Sequence, residues 1–328
     1  MTVGVSFEDP GLTSRIRRGV DRVEALLARS VDSPEPFVAE AAAHLLNAGG
    51  KRFRPLLTLL CAEFGQPQGD AAVEAAVVME LTHLATLYHD DVMDEAPVRR
   101  GAPSANARWD NSIAILVGDY LFAEASQIVA GLGTEAVRIQ AETFSRLVRG
   151  QIRETLGPGE GEDPLQHYLD VVADKTGSLI AACALLGSKM AGASDEVQRT
   201  LLEFGERIGV AFQLADDIID IASESGDSGK TPGTDLREGV PTLPTLLVLA
   251  SPDDADAELR DRLSGPIEDD ALVERTLAEL RAHPLMAEAR AYVHAEADTS
   301  RALLEKLPAG PARDALSELC DTVVTRVG

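Results

Sequence analysis

Apolar side chains recur at three- and four-residue spacing along almost all of the 328-residue chain, a period that leaves room for little besides helices. Leu56, Leu57, Leu60 and Phe64 form one such stripe, and Val77, Val78, Leu81, Leu84, Ala85 and Tyr88 form another. Sustained period-two alternation, the mark of a half-buried strand, is missing. The pattern predicts an all-α protein. Glycine and proline clusters punctuate it at Gly49-Gly50, Pro67 to Gly69, Ala96 to Pro103, Gly157 to Pro164, Gly226 to Pro241, Ser251 to Ala255 and Gly265-Pro266. Between these breaks the spacing predicts helices over 36–48, 55–65, 70–94, 109–131, 134–156, 164–173, 177–191, 195–223, 242–250, 254–263, 267–282, 284–306 and 310–326. No linker, low-complexity tract or short repeat intervenes, so residues 1–328 read as a single domain, with the helices over 254–326 part of the same bundle. The segment from Ser178 to Ser188 is apolar on all sides and belongs deep inside that bundle.

Charge removes several classes of function. The formal net charge is −24, so phosphate backbones and anionic lipid surfaces would repel the chain, and general nucleic-acid binding is not expected. Cys61, Cys183 and Cys320 are odd in number, sit in apolar helical text and lack metal-ligand spacing. They read as small buried hydrophobes in a reducing cytoplasm. The first residues lack a basic start followed by an apolar stretch, and no window is read as reaching the roughly 20 apolar residues of a bilayer span. Neither secretion nor stable membrane insertion is expected.

Two acidic runs stand out against this background. Asp90, Asp91 and Asp94 lie in HDDVMD, and Asp216, Asp217 and Asp220 lie in ADDIID with the same internal spacing. On a helix, positions i and i+4 lie about 40° apart, so Asp90 pairs with Asp94 on one face and Asp216 with Asp220 on another. Like charges beside apolar neighbours need a cation to offset them. Hard oxygen ligands offered as one or two carboxylates per ion suit Mg²⁺, which keeps waters and completes its shell with phosphate oxygens. The pairs therefore point to a phosphate-bearing substrate. Asp253-Asp254 and Asp269-Asp270 sit in polar text and read as solvated surface.

Basic residues are few, and they cluster near these runs. Lys51, Arg52 and Arg54 follow Gly49-Gly50 at a helix start, where backbone N–H groups also favour an anion. Arg99 and Arg100 follow the first acidic run, and Lys230 follows the second. His83 lies two turns before Asp90 on the same helix, where either a satisfied core histidine or a ligand fits. Lys175-Thr176-Gly177 opens the apolar segment, and Gln213 lies one turn before Asp217.

The blocks GGKRFRP, HDDVMDEAPVRRGAPS, KTG, FQLADDIID and GKTPGTDLREGVPTLP, in order from about residue 35 to 250, resemble the trans-isoprenyl diphosphate synthases, or polyprenyl synthetases. The resemblance implies the all-α isoprenoid synthase fold, a single large helical bundle around a deep central cavity, usually as a homodimer. It implies condensation of isopentenyl diphosphate with an allylic diphosphate. Asp90 and Asp94 would hold two Mg²⁺ on the allylic diphosphate, and Asp216, supported by Asp217 and Asp220, a third; Asp91 completes the first run. Arg99, Lys175 and Lys230 would meet the allylic diphosphate, and Lys51, Arg54, His83 and Arg100 the isopentenyl diphosphate. Lys175, Thr176 and Gln213 would turn dipoles toward the developing allylic cation. One departure is visible: many relatives carry lysine where this chain has Val240, and some carry lysine at Thr234. Closure over the site is assigned to the loop 226–241.

The growing product would run along the helix that carries Asp90, over a floor made by Thr86, Ala85 and Leu81. Relatives that stop early often place a bulky aromatic five residues before the first aspartate, where this chain has Ala85. The open floor predicts a long-chain polyprenyl diphosphate of the kind used for quinone side chains, unless Tyr88 or Phe122 blocks the path. A farnesyl or geranylgeranyl product is the alternative. A terpene cyclase would usually line its cavity with aromatics, which make up 4% of this chain, and a non-catalytic subunit would be expected to lose ligands that are complete here.

Overall fold

The computed structural model describes residues 6–66, 69–223 and 232–327. Helix α1 (Pro10–Ser30) starts on an Asp9 cap with proline in its first turn, and buries Leu12, Ile16, Val20, Val23 and Leu27 along one stripe. Helix α1 lies before residue 36, where the first helix is expected from the sequence. Its apolar positions keep helical spacing, but arginines at 15, 17, 18, 22 and 29 fill the intervals.

Next come α2 (Pro36–Asn47), α3 (Phe53–Ala62), α4 (Ala71–Met93), the four-residue α5 (Ala105–Arg108), α6 (Asn111–Gly131), α7 (Thr134–Leu156) and α8 (Pro164–Val172). A π-helical turn at Ala173–Gly177 leads into α9 (Ser178–Met190), followed by α10 (Asp195–Ala222), α11 (Thr234–Glu238) and α12 (Leu243–Leu249). A 3₁₀ turn at Asp254–Asp256 precedes α13 (Ala257–Arg262), α14 (Asp270–Ala282), α15 (Leu285–Leu304) and α16 (Pro311–Thr325). Most ends fall within two residues of expectation. Helix α14 starts later than 267 because the Asp269 carboxylate caps it, accepting the Leu272 N–H at 2.8 Å. A short antiparallel hairpin, β1 (Val98–Arg99) and β2 (Ala102–Pro103), has strands too short to show a period-two alternation. Its turn residues Arg100 and Gly101 both have positive φ, 55° and 76°, as a tight two-residue hairpin turn requires.

The chain forms two compact units: Met1–Ser145 with Leu179–Gly205 and Leu304–Leu316, and Arg146–Ser178 with Glu206–Leu303 and Ser317–Gly328. In the first, α4 is the central helix, packed on α1, α3 and α6. Gly118 of α6 permits the closest approach there: a Cβ at that position would stand 2.3 Å from the His89 ring and 3.1 Å from the Ala85 carbonyl. The apolar segment of α9 is buried as expected, with Leu179 to Ala184 and Leu186 all nearly inaccessible. It crosses α3 at Gly187, where a Cβ would lie 2.1 Å from the Thr58 carbonyl oxygen. In the second unit, α12 packs on α8.

Two helices, α4 and α6, are long and apolar enough to cross a bilayer by length and composition, which revises the reading of no such window. In α4 that apolar surface is mostly committed to the core, with 72% of the window buried; in α6 the share is 33%. Cys61, Cys183 and Cys320 are free thiols and buried.

The α3–α9 crossing yields a stability test. Gly187→Val forces backbone apart from backbone and is expected to cost about 1–3 kcal/mol or more in urea unfolding. Gly131→Ala, where an added Cβ meets nothing within 4 Å, is expected to be neutral or to stabilise by up to about 1 kcal/mol. Equal midpoints for the two variants would contradict this packing.

Candidate active site

The first acidic run closes α4. Its middle member, Asp91, is completely buried, and its Oδ1 accepts a hydrogen bond from Arg99 Nε at 2.5 Å. The other oxygen, Oδ2, has no hydrogen-bond partner among the described residues. Burial raises the Asp91 carboxyl above its ordinary value, and Arg99 opposes that shift. Asp90 is half-buried and Asp94 exposed, so the i, i+4 pair faces outward while the residue between them anchors the helix end. Arg99 reaches this position from the β1–β2 hairpin and also stands 3.8 Å from Asp94.

The glycine-led turn sits in the same unit. Arg52, in the left-handed conformation at φ 50°, caps α3 and is itself buried. Its guanidinium donates to Glu24 at 2.6 Å, to Glu80 at 3.3 Å and to the Leu46 carbonyl at 3.2 Å. Arg100 donates to the Leu45 carbonyl at 3.1 Å and to the Gly49 carbonyl. Gly50 has φ 152°, a conformation that L side chains rarely adopt, and a Cβ there would also displace the Arg52 and Arg100 guanidinium tips. Lys51 is left exposed. The Arg54 Nε is buried without a hydrogen-bond partner among the described residues, and burial lowers the affinity of that guanidinium for its proton. His83, one turn after Glu80, is held well below its ordinary value of 6.5 by burial and then by Arg54, Arg100, Arg99 and Arg52. The turn, the hairpin and α4 thus bring Arg52, Arg54, Arg99 and Arg100 around a neutral imidazole.

The second acidic run lies in α10, within the second unit, and repeats the arrangement. Asp217 is 5% exposed, whereas Asp216 and Asp220 are half-buried. The Tyr168 hydroxyl of α8 donates to Asp217 Oδ2, and Gln213 donates to Oδ1 at 2.9 Å. Thr176 in turn donates to the Gln213 amide oxygen at 3.1 Å. Burial pushes the Asp217 carboxyl up to about 6, against the effect of its two hydrogen bonds. Lys175 and Thr176 occupy the π-helical turn, an irregularity that re-aims side chains out of the regular ladder. Lys175 is paired with Glu154 at 2.5 Å. The Asp235 N–H approaches Asp220 Oδ2 at 3.4 Å, and the Gly233 N–H donates to the Asp220 carbonyl at 3.2 Å, so α11 docks on the end of α10. Thr234 lies in α11, and Val240 follows it, half-buried. Lys230 and the rest of residues 226–231 in the loop 226–241 lie outside the described residues.

Of the proposed floor residues, Leu81 and Ala85 are buried, and the Thr86 hydroxyl donates to the His83 carbonyl at 2.8 Å. Tyr88 is committed to α2, donating to the Ala41 carbonyl at 2.6 Å and accepting the Leu45 N–H at 3.2 Å. Phe122 stacks on Phe144 with ring centroids 4.1 Å apart. Tyr168, Glu154, Glu80 and Arg326, which contacts Asp216, were not found from sequence because no local motif marks them.

Among the described residues, no three His, Cys, Asp or Glu side chains converge into a ready-made cage. Outward carboxylate pairs fit a divalent ion that draws much of its shell from water and substrate phosphate.

The fold class is the all-α isoprenoid synthase fold, shared with solved isoprenyl diphosphate synthases. The chain belongs to the polyprenyl synthetase family, whose model matches residues 35–280. A nonaprenyl diphosphate synthase of Mycobacterium tuberculosis is 52% identical over 329 aligned positions, 100% of this chain and 98% of the relative. A geranylgeranyl pyrophosphate synthase of Corynebacterium glutamicum, solved with calcium and isoprenyl diphosphate, is similar at TM-score 0.89 and 49% identity, covering 99% of this chain and 100% of that one. A decaprenyl diphosphate synthase of Rhodobacter capsulatus gives TM-score 0.87 at 34% identity, with coverages of 97% and 98%.

The His83 environment sets a pH dependence of stability. Its folded value is depressed, so below pH about 6.5 the unfolded chain takes up a proton that the folded protein refuses. The His83 contribution is full above that pH and is lost as pH falls. Urea midpoints of His83→Gln are therefore expected to fall less than those of the unaltered protein between pH about 7 and about 5.5. Parallel pH profiles would contradict a neutral, cation-surrounded imidazole.

Proposed function

We propose that this protein is a trans-prenyltransferase that joins isopentenyl diphosphate to an allylic diphosphate and repeats the step to make a long-chain polyprenyl diphosphate. The observation that carries the reading is the repeated acidic run, each with a buried middle aspartate and an outward i, i+4 pair, in a chain of this family. In the reaction the allylic C–O bond breaks and its electron pair leaves with diphosphate. The isopentenyl double bond then attacks the allylic cation, and the proton lost from the adduct passes to the released diphosphate. Bound Mg²⁺, three ions with substrate, would supply charge to stabilise the departing diphosphate. Calcium and isoprenyl diphosphate in the related Corynebacterium glutamicum enzyme support a divalent ion in that role.

The chain's own residues divide the remaining work. Asp90 and Asp94, and Asp216 with Asp220, present carboxylate oxygens for metal, while Asp91 and Asp217 fix the helix ends. Lys51, Arg54, Arg100 and neutral His83 bind isopentenyl diphosphate; Arg99, Lys175 and Lys230 serve the allylic diphosphate. Two diphosphates carry about −6 in total, which explains why so acidic a chain spends its few cations here. Thr176 and Gln213 hold oxygen dipoles where positive charge develops, a preorganised arrangement that needs no protein nucleophile. Exclusion of water protects the cation.

The long product rests on the absence of aromatic bulk at Ala85 and on relatives that include nonaprenyl and decaprenyl synthases. Exposed apolar residues on α6, Leu116 at 62% and Ile115 at 44%, support a homodimer face. Buried free thiols fit a reducing cytoplasm.

Purified protein given Mg²⁺, isopentenyl diphosphate and farnesyl or geranylgeranyl diphosphate is expected to yield products longer than geranylgeranyl, sized by mass spectrometry. Ala85→Phe is expected to shorten them while the thermal midpoint shows the protein still folded. Products ending at farnesyl in the unaltered enzyme would refute the long-chain reading; cyclic hydrocarbon from the allylic substrate alone would replace it with a cyclase.

A further inference from the structure

We infer that Arg326 is a resident counter-cation of the second acidic run and competes with a divalent ion for Asp216. The inference rests on the metal-binding role of Asp216 proposed above. Arg326 lies one residue beyond α16, in a C-terminal segment that is pinned in place. Val327 is 4% exposed, and its carbonyl accepts a hydrogen bond from Arg290 Nε at 2.8 Å. That anchor holds Arg326 over α10. Its Nη2 donates to Asp216 Oδ1 at 2.5 Å, and its guanidinium carbon stands 4.6 Å from the centroid of Phe212, one turn before Asp216.

The hold is incomplete in a telling way. An arginine fork can engage a carboxylate through two parallel bonds, but here one bond forms, and Nη1 is buried with no hydrogen-bond partner among the described residues. The aromatic face supplies the other attraction. Phe212 and the Arg290 anchor do not depend on Asp216, so the guanidinium can leave the carboxylate while the segment stays in place. A metal ion at Asp216 would share the carboxylate with the guanidinium bonded to Oδ1 and would repel its positive charge. Metal loading and the Arg326–Asp216 bond therefore oppose each other. In the metal-free protein the arginine keeps Asp216 compensated beside Asp217 and Asp220, and metal uptake becomes favourable once the ion can outweigh it.

The pair is partly exposed, 24% for Arg326 and 31% for Asp216, so the competition is modest. A screened pair of this kind corresponds to an affinity change of about two- to fivefold. The test is Mn²⁺ binding to full-length protein without diphosphate, followed by electron paramagnetic resonance of the free ion. Arg326→Ala is expected to bind Mn²⁺ about two- to fivefold more tightly than the unaltered protein, with Arg326→Lys close to unaltered and Asp216→Asn weaker. A purely structural arginine would lower the thermal midpoint of Arg326→Ala and leave Mn²⁺ affinity where it was. Unchanged or weaker binding in Arg326→Ala, together with weaker binding in Asp216→Asn, overturns the inference and leaves the metal role of Asp216 standing. Unchanged binding in Asp216→Asn overturns both.

Discussion

A carboxylate buried in the wall of a helix must be given a partner, and that requirement organises each acidic run. Removing an ionised group from water costs several kcal/mol unless a charge or hydrogen bonds replace the lost solvation. Asp91 finds Arg99; Asp217 finds Tyr168 and Gln213. Fixing the middle aspartate also fixes the rotation of the helix. With 3.6 residues per turn, the residue before it lies about 100° to one side and the residue three after it about 60° to the same side. Asp90 and Asp94, and likewise Asp216 and Asp220, are thereby turned to the accessible flank. One buried acid thus aims two others.

The cations are divided by the same logic. Arg52 and Arg100 spend donors on main-chain carbonyls of the Leu45 to Gly49 segment, and Arg52 also neutralises Glu80 and Glu24. Both sit at positive φ, conformations that a non-glycine residue keeps only when its surroundings hold it. Their side chains close over Gly50, which shapes a turn that leaves Lys51 exposed. The result is a concentration of positive charge in a chain of net charge −24, with His83 kept neutral inside it. An anion entering there meets positioned donors and has no imidazolium to titrate.

Much of this was legible in the sequence. Helical spacing located most helices, and the matched DDxxD spacing marked both acidic runs. What spacing could not say is which way each helix is rotated: it places Asp90 beside Asp94 but cannot tell whether that face or Asp91 looks inward. The partners that settle the question lie 49 positions away for Tyr168 and Asp217, and 110 for Arg326 and Asp216. No local pattern connects such pairs. Helix α1 was missed for a different reason, because arginines interleaved with its apolar stripe obscured a periodicity that the Asp9 cap and Pro10 would have confirmed. The β1–β2 hairpin is too short to carry an alternation, and the two adjacent positive-φ residues Arg100 and Gly101 that define its turn are not marked by residue type at Arg100.

The division of labour within each acidic run is the central claim, and Asp90→Asn compared with Asp91→Asn tests it most directly. Diphosphate release would be titrated with Mg²⁺ in each variant alongside its thermal midpoint. The account predicts that Asp90→Asn keeps its midpoint but needs at least about tenfold more Mg²⁺, a loss of about 1.4 kcal/mol of metal binding, whereas Asp91→Asn chiefly shifts the midpoint. An Asp90→Asn enzyme with the Mg²⁺ requirement of the unaltered protein would contradict it.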